Sequence, residues 1–418
     1  MLKMWKEIQP LIEKVEPSGA PLSIKFVEVI LKTVERCNLN CSYCYFFQGE
    51  DKSYKKHPPI ISKSTIEQVA QFLLDGALDL NLEAIKIDFH GGEPMMQKIG
   101  DFDSMCNIFR EKLSPHVLLD LAIQTNGTLI TDEWIQVCGK HDVGIGVSCD
   151  GPQEYHDKFR VDYKGRGSHE IIAKNLKKLN DAHHKGIIRR LGLLSVINAE
   201  YDANTIYGHF TKELEIQSMN FLLPDFTHDS FDQSALAYGE FLCQLFDAWV
   251  EEDNPEINVK ILKQTLQQLT GDSLLLRASD EVVSSYAELT IASNGALAPV
   301  DTLRSAHSDL MWSQASIQST SLSNFLQYPL YQKIKESQQT LPLACQNCNW
   351  RNACRGGNLV NRYSKHNFFD NPSVLCEGLK QFYKHVVKYL YAQNFPHERL
   401  LEVLGLDSSM SKGNLIGG

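Results

Sequence analysis

The first half of the chain alternates between short apolar runs and longer stretches in which apolar residues recur every three or four positions. Short runs rich in Val, Ile and Leu predict buried strands, and the longer period predicts amphipathic helices. Strands are predicted at 24–34, 84–90, 118–125, 143–149, 191–198 and 218–223. Helices between them are predicted at 65–80, 102–113, 132–140 and 171–183. This order predicts a parallel sheet with covering helices.

Six consecutive βα units indicate an α/β fold, a partial (β/α)6 TIM-type barrel. We assign residues 22–230 to this barrel. Residues 1–21 are assigned to an N-terminal helical extension, because Lys and Glu alternate there with apolar positions. In parallel barrels the catalytic residues collect at the C-terminal ends of the strands. Functional side chains are therefore expected directly after the predicted strands.

The pattern changes after about residue 231. Helical stretches cover 232–269, within a bridging region that we place at 231–280. Two apolar runs at 287–291 and 296–300 flank an Asn-Gly pair, a strong signal for a hairpin, which opens a second domain at 281–380. Residues 381–418 are predicted to form a helix and then a disordered tail from 407, because that tail is rich in Ser and Gly.

Composition narrows the class of protein. The chain has 418 residues, 43% hydrophobic and 22% charged, which is enough for a barrel and an appended domain. A formal net charge of −10 argues against nucleic-acid binding, which favours a basic surface. No run approaches about 18 apolar residues, so no membrane-spanning helix is predicted. Eleven Cys and no export signal predict a reducing cytoplasmic location, where clustered Cys bind metal.

Three cysteines stand close together after the first strand. Cys37, Cys41 and Cys44 have the spacing C-x3-C-x2-C, and an aromatic residue, Tyr45, follows them. Thiolates are the usual ligands of iron–sulfur clusters, and three of them leave one iron of a cubane cluster without a protein ligand. The alternative is structural zinc, which wants four ligands, and no fourth Cys or His lies at the usual short spacing. The loop therefore favours a cluster with one open iron.

Glycine-rich and polar turns follow the next strands. In His90-Gly91-Gly92-Glu93-Pro94, the two glycines let the backbone approach a ligand, and Glu93 offers a carboxylate to an ammonium group. Asn126 follows the third strand and Ser148 lies at the end of the fourth. Taken alone, each of these residues is typical of a turn that follows a strand. Their common position at the ends of parallel strands strengthens the functional interpretation.

A second group of cysteines lies in the C-terminal half. Cys345, Cys348 and Cys354 are followed by Cys376, and four thiolates complete a metal site with no open position. Spacing alone leaves a cluster and zinc equally open. The remaining cysteines stand singly in predicted helices or strands and are interpreted as small buried apolar residues: Cys106, Cys138, Cys149 and Cys243.

The Cys37 loop and the Gly-Gly-Glu turn resemble the motifs of radical S-adenosyl-L-methionine (SAM) enzymes. In that family the amino and carboxylate groups of the cofactor occupy the open iron. The resemblance implies SAM bound to a [4Fe-4S] cluster at Cys37, Cys41 and Cys44. It also implies cofactor contacts from Tyr43, Tyr45, Gly91, Gly92, Glu93, Asn126, Ser148 and Arg160.

The second Cys group resembles the SPASM domain, the auxiliary-cluster module of radical SAM peptide maturases. The chain departs from the full pattern, because Val300 and Asn358 stand where that pattern has Cys. The resemblance therefore implies one auxiliary [4Fe-4S] cluster at Cys345, Cys348, Cys354 and Cys376, and two clusters in all. Segments 295–304, 354–363 and 369–376 are most similar to the cyclophane-forming XYE-type maturases, relatives of the darobactin maturase.

Enzymes of that type join an aromatic ring carbon to a side-chain β-carbon in a ribosomally made precursor peptide, and the resemblance implies this activity here. The joined ring must then lose a proton and an electron. The expected base is Asp301, where related sulfatase maturases carry a proposed catalytic Asp, and the expected acceptor is the auxiliary cluster. His90 and Arg304 are substrate-pocket candidates. Expected partners are the precursor peptide and an electron donor such as flavodoxin or ferredoxin.

Two alternatives stay open at this point. Another radical SAM/SPASM maturase would make a thioether or ether crosslink or carry out a sulfatase-maturase-like oxidation, although such enzymes usually need the auxiliary cluster whose ligands are missing. In a non-enzymatic iron–sulfur or zinc protein, both Cys groups would bind metal only to stabilise the fold. Such a protein would not cleave the cofactor.

Overall fold

The structure, a computed structural model, describes residues 24–271, 285–311 and 314–416. Its strands form one nine-stranded sheet in the order β7-β6-β5-β4-β3-β2-β1-β8-β9. All neighbouring strands are parallel except β8 and β9, which are antiparallel. The strands are β1 (Phe26–Val34), β2 (Ala84–Gly91), β3 (Leu118–Thr125), β4 (Val143–Ser148), β5 (Leu191–Val196), β6 (Ser218–Leu222), β7 (Asn258–Val259), β8 (Tyr286–Ile291) and β9 (Leu297–Ala298).

Helices connect the parallel strands and then form most of the C-terminal part. Those in the first part are α1 (Tyr45–Gln48), α2 (Lys63–Leu80), α3 (Ile99–Leu113), α4 (Asp132–Lys140), α5 (Gln153–His156), α6 (His169–His184), α7 (Ala203–Gly208), α8 (Ala235–Glu252) and α9 (Lys260–Thr270). The later ones are α10 (Leu322–Leu326), α11 (Pro329–Gln339), α12 (Arg351–Cys354), α13 (Leu359–Arg362), α14 (Cys376–Ala392), α15 (His397–Leu404) and α16 (Lys412–Ile416).

The predicted α/β fold with a partial TIM-type barrel is confirmed. All six predicted strands and the four helices between them are present. Local signals explain why the helix boundaries were predictable: α2 begins after Ser62, whose hydroxyl accepts from Thr65 N, and α4 begins after Thr131, whose hydroxyl accepts from Trp134 N. Each cap satisfies a backbone donor that the first helical turn leaves free.

The two faces of the sheet differ in polarity. On β1, Val27, Val29 and Leu31 are at most 2% exposed and belong to the main hydrophobic core. The alternating positions Glu28 and Lys32 point to the opposite face, because successive side chains of a strand alternate. The apolar face packs against helices, and the polar face lines the inside of the barrel.

The predicted hairpin forms, but it extends the barrel sheet. Strand β8 pairs in parallel with β1 from Phe26↔Tyr286 to Leu31↔Ile291. The apolar pattern of a strand is the same whichever strand it pairs with, so its partner was not predictable. Strand β9 is shorter than predicted because Pro299, which has no N–H for the ladder, follows it directly.

Two further expectations need correction. The helical stretch 232–269 is broken by β7, after Asp253 adopts a left-handed φ of 43°. The predicted disordered tail contains helix α16, where Leu415 is 2% exposed and packs into the core. One buried leucine anchors a segment whose composition indicates disorder. The predicted extension 1–21 lies outside the described residues.

Within the residues that the structure describes, no helix has the length and apolar character needed to cross a bilayer.

Candidate functional site

Cys37, Cys41 and Cys44 lie in the loop between β1 and α1, at the C-terminal end of the sheet. Cys44 N donates to Cys41 O at 3.2 Å, and Leu39 N donates to Cys37 Sγ at 3.4 Å. Burial raises the pKa of the Cys37 thiol to about 12 and raises the pKa of Cys41 as well. Iron ligation must therefore be coupled to loss of their protons.

Gly91 and Gly92 bring the end of β2 against the Cys loop. Gly92 N donates to Val34 O at 2.7 Å, and Glu93 N donates to Arg36 O at 2.9 Å. Gly91 has a φ of 134°, which side chains rarely tolerate, and a Cβ on Gly92 would clash with the Arg36 carbonyl oxygen. Only glycine lets this turn lie so close to the loop.

The Glu93 carboxylate is fully buried and holds two turns together. Its Oε1 accepts from Thr125 Oγ1 at 2.7 Å and from Met95 N at 2.9 Å, and its Oε2 accepts from Asn126 N at 2.7 Å. Burial raises the pKa of Glu93, and these hydrogen bonds only partly offset the effect. Glu93 thus fixes the ends of β2 and β3, and its contact with the cofactor stays a prediction.

Asn126 links β3 to the Cys loop. Its Nδ2 donates to Asn38 Oδ1 at 2.9 Å and lies 3.7 Å from Cys37 Sγ. Ser148 ends β4, where its hydroxyl accepts from Gln124 Nε2 at 2.9 Å. The structure therefore brings Asn126 to the loop and places Ser148 on the neighbouring strand.

The buried Arg160 and the more exposed Tyr43 form a polar group beside the loop. Arg160 Nη1 donates to the Tyr43 hydroxyl at 2.6 Å and lies 3.9 Å from Asp150 Oδ2, to which Tyr43 also donates. Burial raises the pKa of Cys41, and the Arg160 charge opposes it. Among the described residues, the buried Arg160 Nε has no hydrogen-bond partner. A cation with a free donor at this position fits an anionic group, as the cofactor carboxylate requires.

Asp301 is 4% exposed and lies at the centre of a second polar cluster. Its Oδ2 accepts from Lys32 Nζ at 2.6 Å and from the Tyr45 hydroxyl at 2.5 Å. Lys32 Nζ also lies 3.3 Å from His90 Nδ1. Arg304 Nη2 is 3.9 Å from Asp301 Oδ1, and this buried oxygen accepts no hydrogen bond from the described residues. Tyr45, predicted as a cofactor contact, thus turns its hydroxyl to Asp301.

Opposed effects set the pKa of Asp301. Burial raises it, but the Lys32 ammonium and the hydrogen bonds from Lys32 and Tyr45 outweigh burial, so the pKa of Asp301 lies below its usual value. Burial and Lys32 lower the pKa of His90 to about 3, which makes its imidazole neutral. Asp301 is therefore a carboxylate at neutral pH with one free oxygen, as a general base must be.

The substitution Lys32→Met should move the pH dependence of any reaction that uses the Asp301 carboxylate. Without the ammonium, burial is less opposed and the pKa of Asp301 rises. Because the ionised form is lost as pH falls through this pKa, the acid limb of the pH–rate profile should move up by about 1–3 pH units. Lys25→Met, at an exposed Lys paired with Glu83, is the control. An unshifted limb in Lys32→Met would mean that Lys32 does not set this pKa.

Arg304, the other pocket candidate, lies on the far side of Asp301. It forms an ion pair with Asp51 and lies 4.8 Å from the centre of the Phe46 ring. Lys32 Nζ lies over the same ring, also at 4.8 Å. The structure thus brings Arg304 to the predicted base, together with Lys32.

The four C-terminal cysteines line one cavity, together with the Trp350 and Tyr383 side chains. Trp350 N donates to Cys348 Sγ at 3.4 Å. Burial raises the pKa values of Cys345, Cys354 and Cys376, that of Cys354 to about 12. Across 24–271, 285–311 and 314–416, no three His, Cys, Asp or Glu side chains converge closely enough to bind one ion. The four thiols therefore share one cavity, and their role as ligands of an auxiliary cluster stays a prediction.

Direct contacts join the second Cys region to the mouth of the barrel. Asn361 Nδ2 donates to Pro224 O at 2.9 Å and to Phe226 O at 2.8 Å, in the loop after β6. At the β8–β9 turn, Ser293 N donates to Glu35 Oε1 at 2.8 Å. The second Cys region and the β8–β9 turn therefore both cover the end of the sheet that carries the Cys37 loop.

Sequence reasoning missed several site residues. Lys32 and Asp51 are buried partners of Asp301 and Arg304, and Asp150 is a partner of Tyr43. A signal existed for Lys32: it stands at an inward position of an apolar strand, and lysine is rarely buried without a partner. Asp51 and Asp150 carry no such signal, since acidic residues are common in turns.

Comparison with known proteins bears on these two sites. The model of the Radical SAM superfamily matches residues 31–203, which include the Cys37 loop and the Gly-Gly-Glu turn. The matched segment is similar to the Radical SAM superfamily, and this similarity supports SAM and [4Fe-4S] clusters as the cofactors that the sequence predicts.

The relatives that match over most of the chain include sulfatase-maturating enzymes. The chain is 25% identical to a serine-type anaerobic sulfatase-maturating enzyme of Bacteroides thetaiotaomicron, covering 91% of both chains. It is 24% identical to a cysteine-type enzyme of Clostridium novyi, covering 88% of this chain and 97% of the relative. The structure of anSMEcpe with bound AdoMet and Cp18Cys peptide has a TM-score of 0.71 at 20% identity, covering 91% of this chain and 99% of that one. The chain is therefore similar in sequence to sulfatase-maturating enzymes and shares the anSMEcpe fold.

Proposed function

We propose that this protein is a radical SAM enzyme that oxidises a side chain of a peptide or protein by two electrons. The observation that carries the proposal is Asp301, a buried carboxylate with one free oxygen at the mouth of the barrel. Similarity to sulfatase-maturating enzymes over nearly the whole chain supports a peptide or protein substrate. The site residues named below are part of the proposal.

A reduced cluster with bound SAM would supply the radical chemistry that removes a hydrogen atom from a substrate C–H. Cys37, Cys41 and Cys44 would hold that cluster, and the Gly91–Gly92 backbone and Arg160 would bind the cofactor. Asp301 Oδ1 would then take a proton from the substrate while its Oδ2 stays bonded to Lys32 and Tyr45. The four C-terminal thiolates would hold the acceptor of the remaining electron.

Sulfatase-maturase-like oxidation is the first candidate reaction. A Ser side chain would lose a hydrogen atom from its β-carbon, its hydroxyl proton to Asp301 and one electron to the auxiliary cluster, leaving an aldehyde. The relatives include both serine-type and cysteine-type enzymes, so either residue is a reasonable target.

A cyclophane crosslink is the second candidate, and the missing Cys ligands at Val300 and Asn358 favour it. Here the β-carbon radical adds to an aromatic ring, and the ring then loses its proton to Asp301 and one electron to the auxiliary cluster. Both candidates need one base and one electron acceptor, so the geometry of Asp301 serves either reaction.

Two peptide probes distinguish the candidates. The Cp18Cys peptide and its Cys→Ser form test oxidation, and a short peptide with an aromatic residue two positions from a polar residue near its C-terminus tests crosslinking. Oxidation of Ser and crosslinking both remove two hydrogens, but an aldehyde product reacts with hydroxylamine, whereas a crosslinked product resists hydroxylamine and gives linked fragments in tandem mass spectra. If none of these peptides changes in mass while SAM is cleaved, the proposal of a peptide oxidase is wrong.

Iron content tests the number of clusters. Anaerobic reconstitution should give about eight irons per chain, from two cubane clusters. Cys376→Ala should lose about four of them and keep part of the SAM cleavage, because the Cys37 site is separate. Cys243→Ala, a buried single Cys, is the control. A value near twelve irons would show a third cluster and contradict the interpretation of Val300 and Asn358.

Reductive cleavage of SAM also needs an electron, and a flavodoxin or ferredoxin is the proposed donor. Dithionite can replace the donor in the assays described here.

A further inference from the structure

The inner face of the barrel carries acidic residues that the proposed chemistry does not use. Strand register places Glu288, Glu28, Lys86 and Asp120 side by side on β8, β1, β2 and β3. Asp88 lies one inward position further along β2, and His90 follows it. A polar surface therefore runs from the N-terminal ends of the strands to the cluster around Asp301.

Contacts connect this surface to Asp301. The Glu288 carboxylate accepts a hydrogen bond from the Asp301 backbone N–H. Lys86 Nζ donates to Glu28 Oε1 at 2.7 Å and lies 2.9 Å from Asp88 Oδ2. Glu28 and Asp88 are themselves hydrogen-bonded. Asp88, Lys86 and Glu28 are thus joined by direct contacts, and Glu288 lies beside Glu28 in the strand register.

A cavity of about 660 Å³ opens at the N-terminal ends of the strands. Asp88 and Gln124 line the cavity, and Gly192 leaves open space in it, because a Cβ there would meet no atom nearer than 4.0 Å. A cavity of this size with several polar walls holds water. Water from the N-terminal side therefore reaches Asp88, one inward position from His90.

Asp88 and Glu288 are suited to exchange protons near neutral pH. Burial raises the pKa of each to about 7; the hydrogen bond to Glu28 adds to this for Asp88, and the charges of Glu28, Asp301 and Asp88 add to it for Glu288. Burial also raises the pKa of Glu28, but hydrogen bonds from Asp88, Lys86 and Tyr286 outweigh it and bring the pKa to about 2. The charged or titratable groups around the pair are Glu28, Lys86, Asp120, Arg190, Tyr286, Asp301, Tyr331 and Lys335.

We propose that Glu288 and Asp88 form a proton exit path from Asp301 to the water of the N-terminal cavity. The proton taken by Asp301 Oδ1 would pass through bridging water to Glu288, then to Asp88 and then to the cavity. Only O–H bonds form and break, and no electron moves. A peptide over the C-terminal ends of the strands would cover Asp301 from that side, which leaves the barrel interior as the way out. The inference rests on the proposed role of Asp301 as the base.

The first test needs no peptide. Infrared spectra of the reconstituted enzyme with SAM should show two protonated carboxyl bands that disappear with an apparent pKa of about 7, one absent in Asp88→Asn and the other in Glu288→Gln. Asp120→Asn, an acidic side chain at the same end but paired with Arg190, should keep both. If both bands persist in the Asp88 and Glu288 variants, the assignment of the carriers is overturned.

The second test closes the cavity. A Cβ on Gly192 would meet no atom nearer than Ser218 O at 4.0 Å, so Gly192→Leu should fold and fill the space. Exchange of both carboxyl bands in D₂O should slow by about tenfold or more, because proton transfer needs a continuous path. Gly208→Ala, with nothing within 4 Å of its added Cβ and outside the cavity lining, is the control. Unchanged exchange in Gly192→Leu would overturn the route.

A peptide assay separates this inference from the proposed function. With a peptide that the wild type modifies, Glu288→Gln and Asp88→Asn should slow repeated turnover by about tenfold and regain it when imidazole is added as a soluble proton carrier. A loss that imidazole does not relieve indicates a structural role and overturns the path. If Asp301→Asn modifies the peptide normally, the base assignment fails, whatever the infrared bands show.

Discussion

Replacing Cys37, Cys41 and Cys44 together by Ala should abolish the formation of 5′-deoxyadenosine. The three thiolates are the proposed ligands of the cluster that reduces SAM, and without them no electron reaches the cofactor. The fold should survive, because all three side chains are partly exposed and lie in a loop outside the main core. The measurement is anaerobic SAM cleavage with dithionite, followed by chromatography, with circular dichroism to check the fold.

Ser42→Ala is the matched control for this variant. Ser42 is exposed in the same loop, and its backbone N–H bonds to Phe159 O whatever its side chain is. The control should keep its cluster and its SAM cleavage. A triple variant that still forms 5′-deoxyadenosine at the wild-type rate would show that the loop does not hold the cluster.

The substitution Asp301→Asn should separate radical formation from completion of the reaction. Asparagine keeps the shape of the side chain but cannot take the proton, so modified peptide should fall by about a hundredfold, within the usual range for loss of a general base. Formation of 5′-deoxyadenosine should persist, because Asp301 contacts Lys32 and Tyr45 and none of the cluster cysteines. Both products are quantified in the same reaction.

Asp309→Asn controls for the loss of a nearby acidic charge. Asp309 follows in the next short turn, and its side chain is 41% exposed. If 5′-deoxyadenosine and modified peptide decline together in Asp301→Asn, Asp301 positions the substrate or supports the fold. If neither declines, another group is the base.

Local patterns predicted much of the fold. The strands and helices from β1 to β6 follow from apolar periodicity and from capping residues such as Ser62 and Thr131, which act within a few positions. The pairing of β8 with β1 did not follow, because it joins residues about 260 positions apart in the sequence, and strand patterns carry no information on the partner. The sequence therefore predicted the barrel but placed its last parallel strand in another domain.

The candidate site shows the same division. The cysteines and the Gly-Gly-Glu turn were predicted as site residues from short sequence motifs, because residues within one short loop stay close together in the fold. Asp301 was predicted from the resemblance to sulfatase maturases and from its position after the hairpin, but its partner Lys32 stands 269 positions away and became evident only from the folded contact. Tyr45 was assigned to the cofactor because it follows Cys44, yet its hydroxyl reaches Asp301.

Transfer of deuterium tests the central claim most directly. The Cp18Cys peptide, its Ser form and the short aromatic test peptide would be made with deuterium at the β-carbons of their candidate residues and incubated anaerobically with enzyme, SAM and dithionite. The account predicts that 5′-deoxyadenosine gains one deuterium for each peptide that is modified. Modified peptide with no deuterium in the 5′-deoxyadenosine would contradict hydrogen abstraction from a side chain, and with it the proposed function.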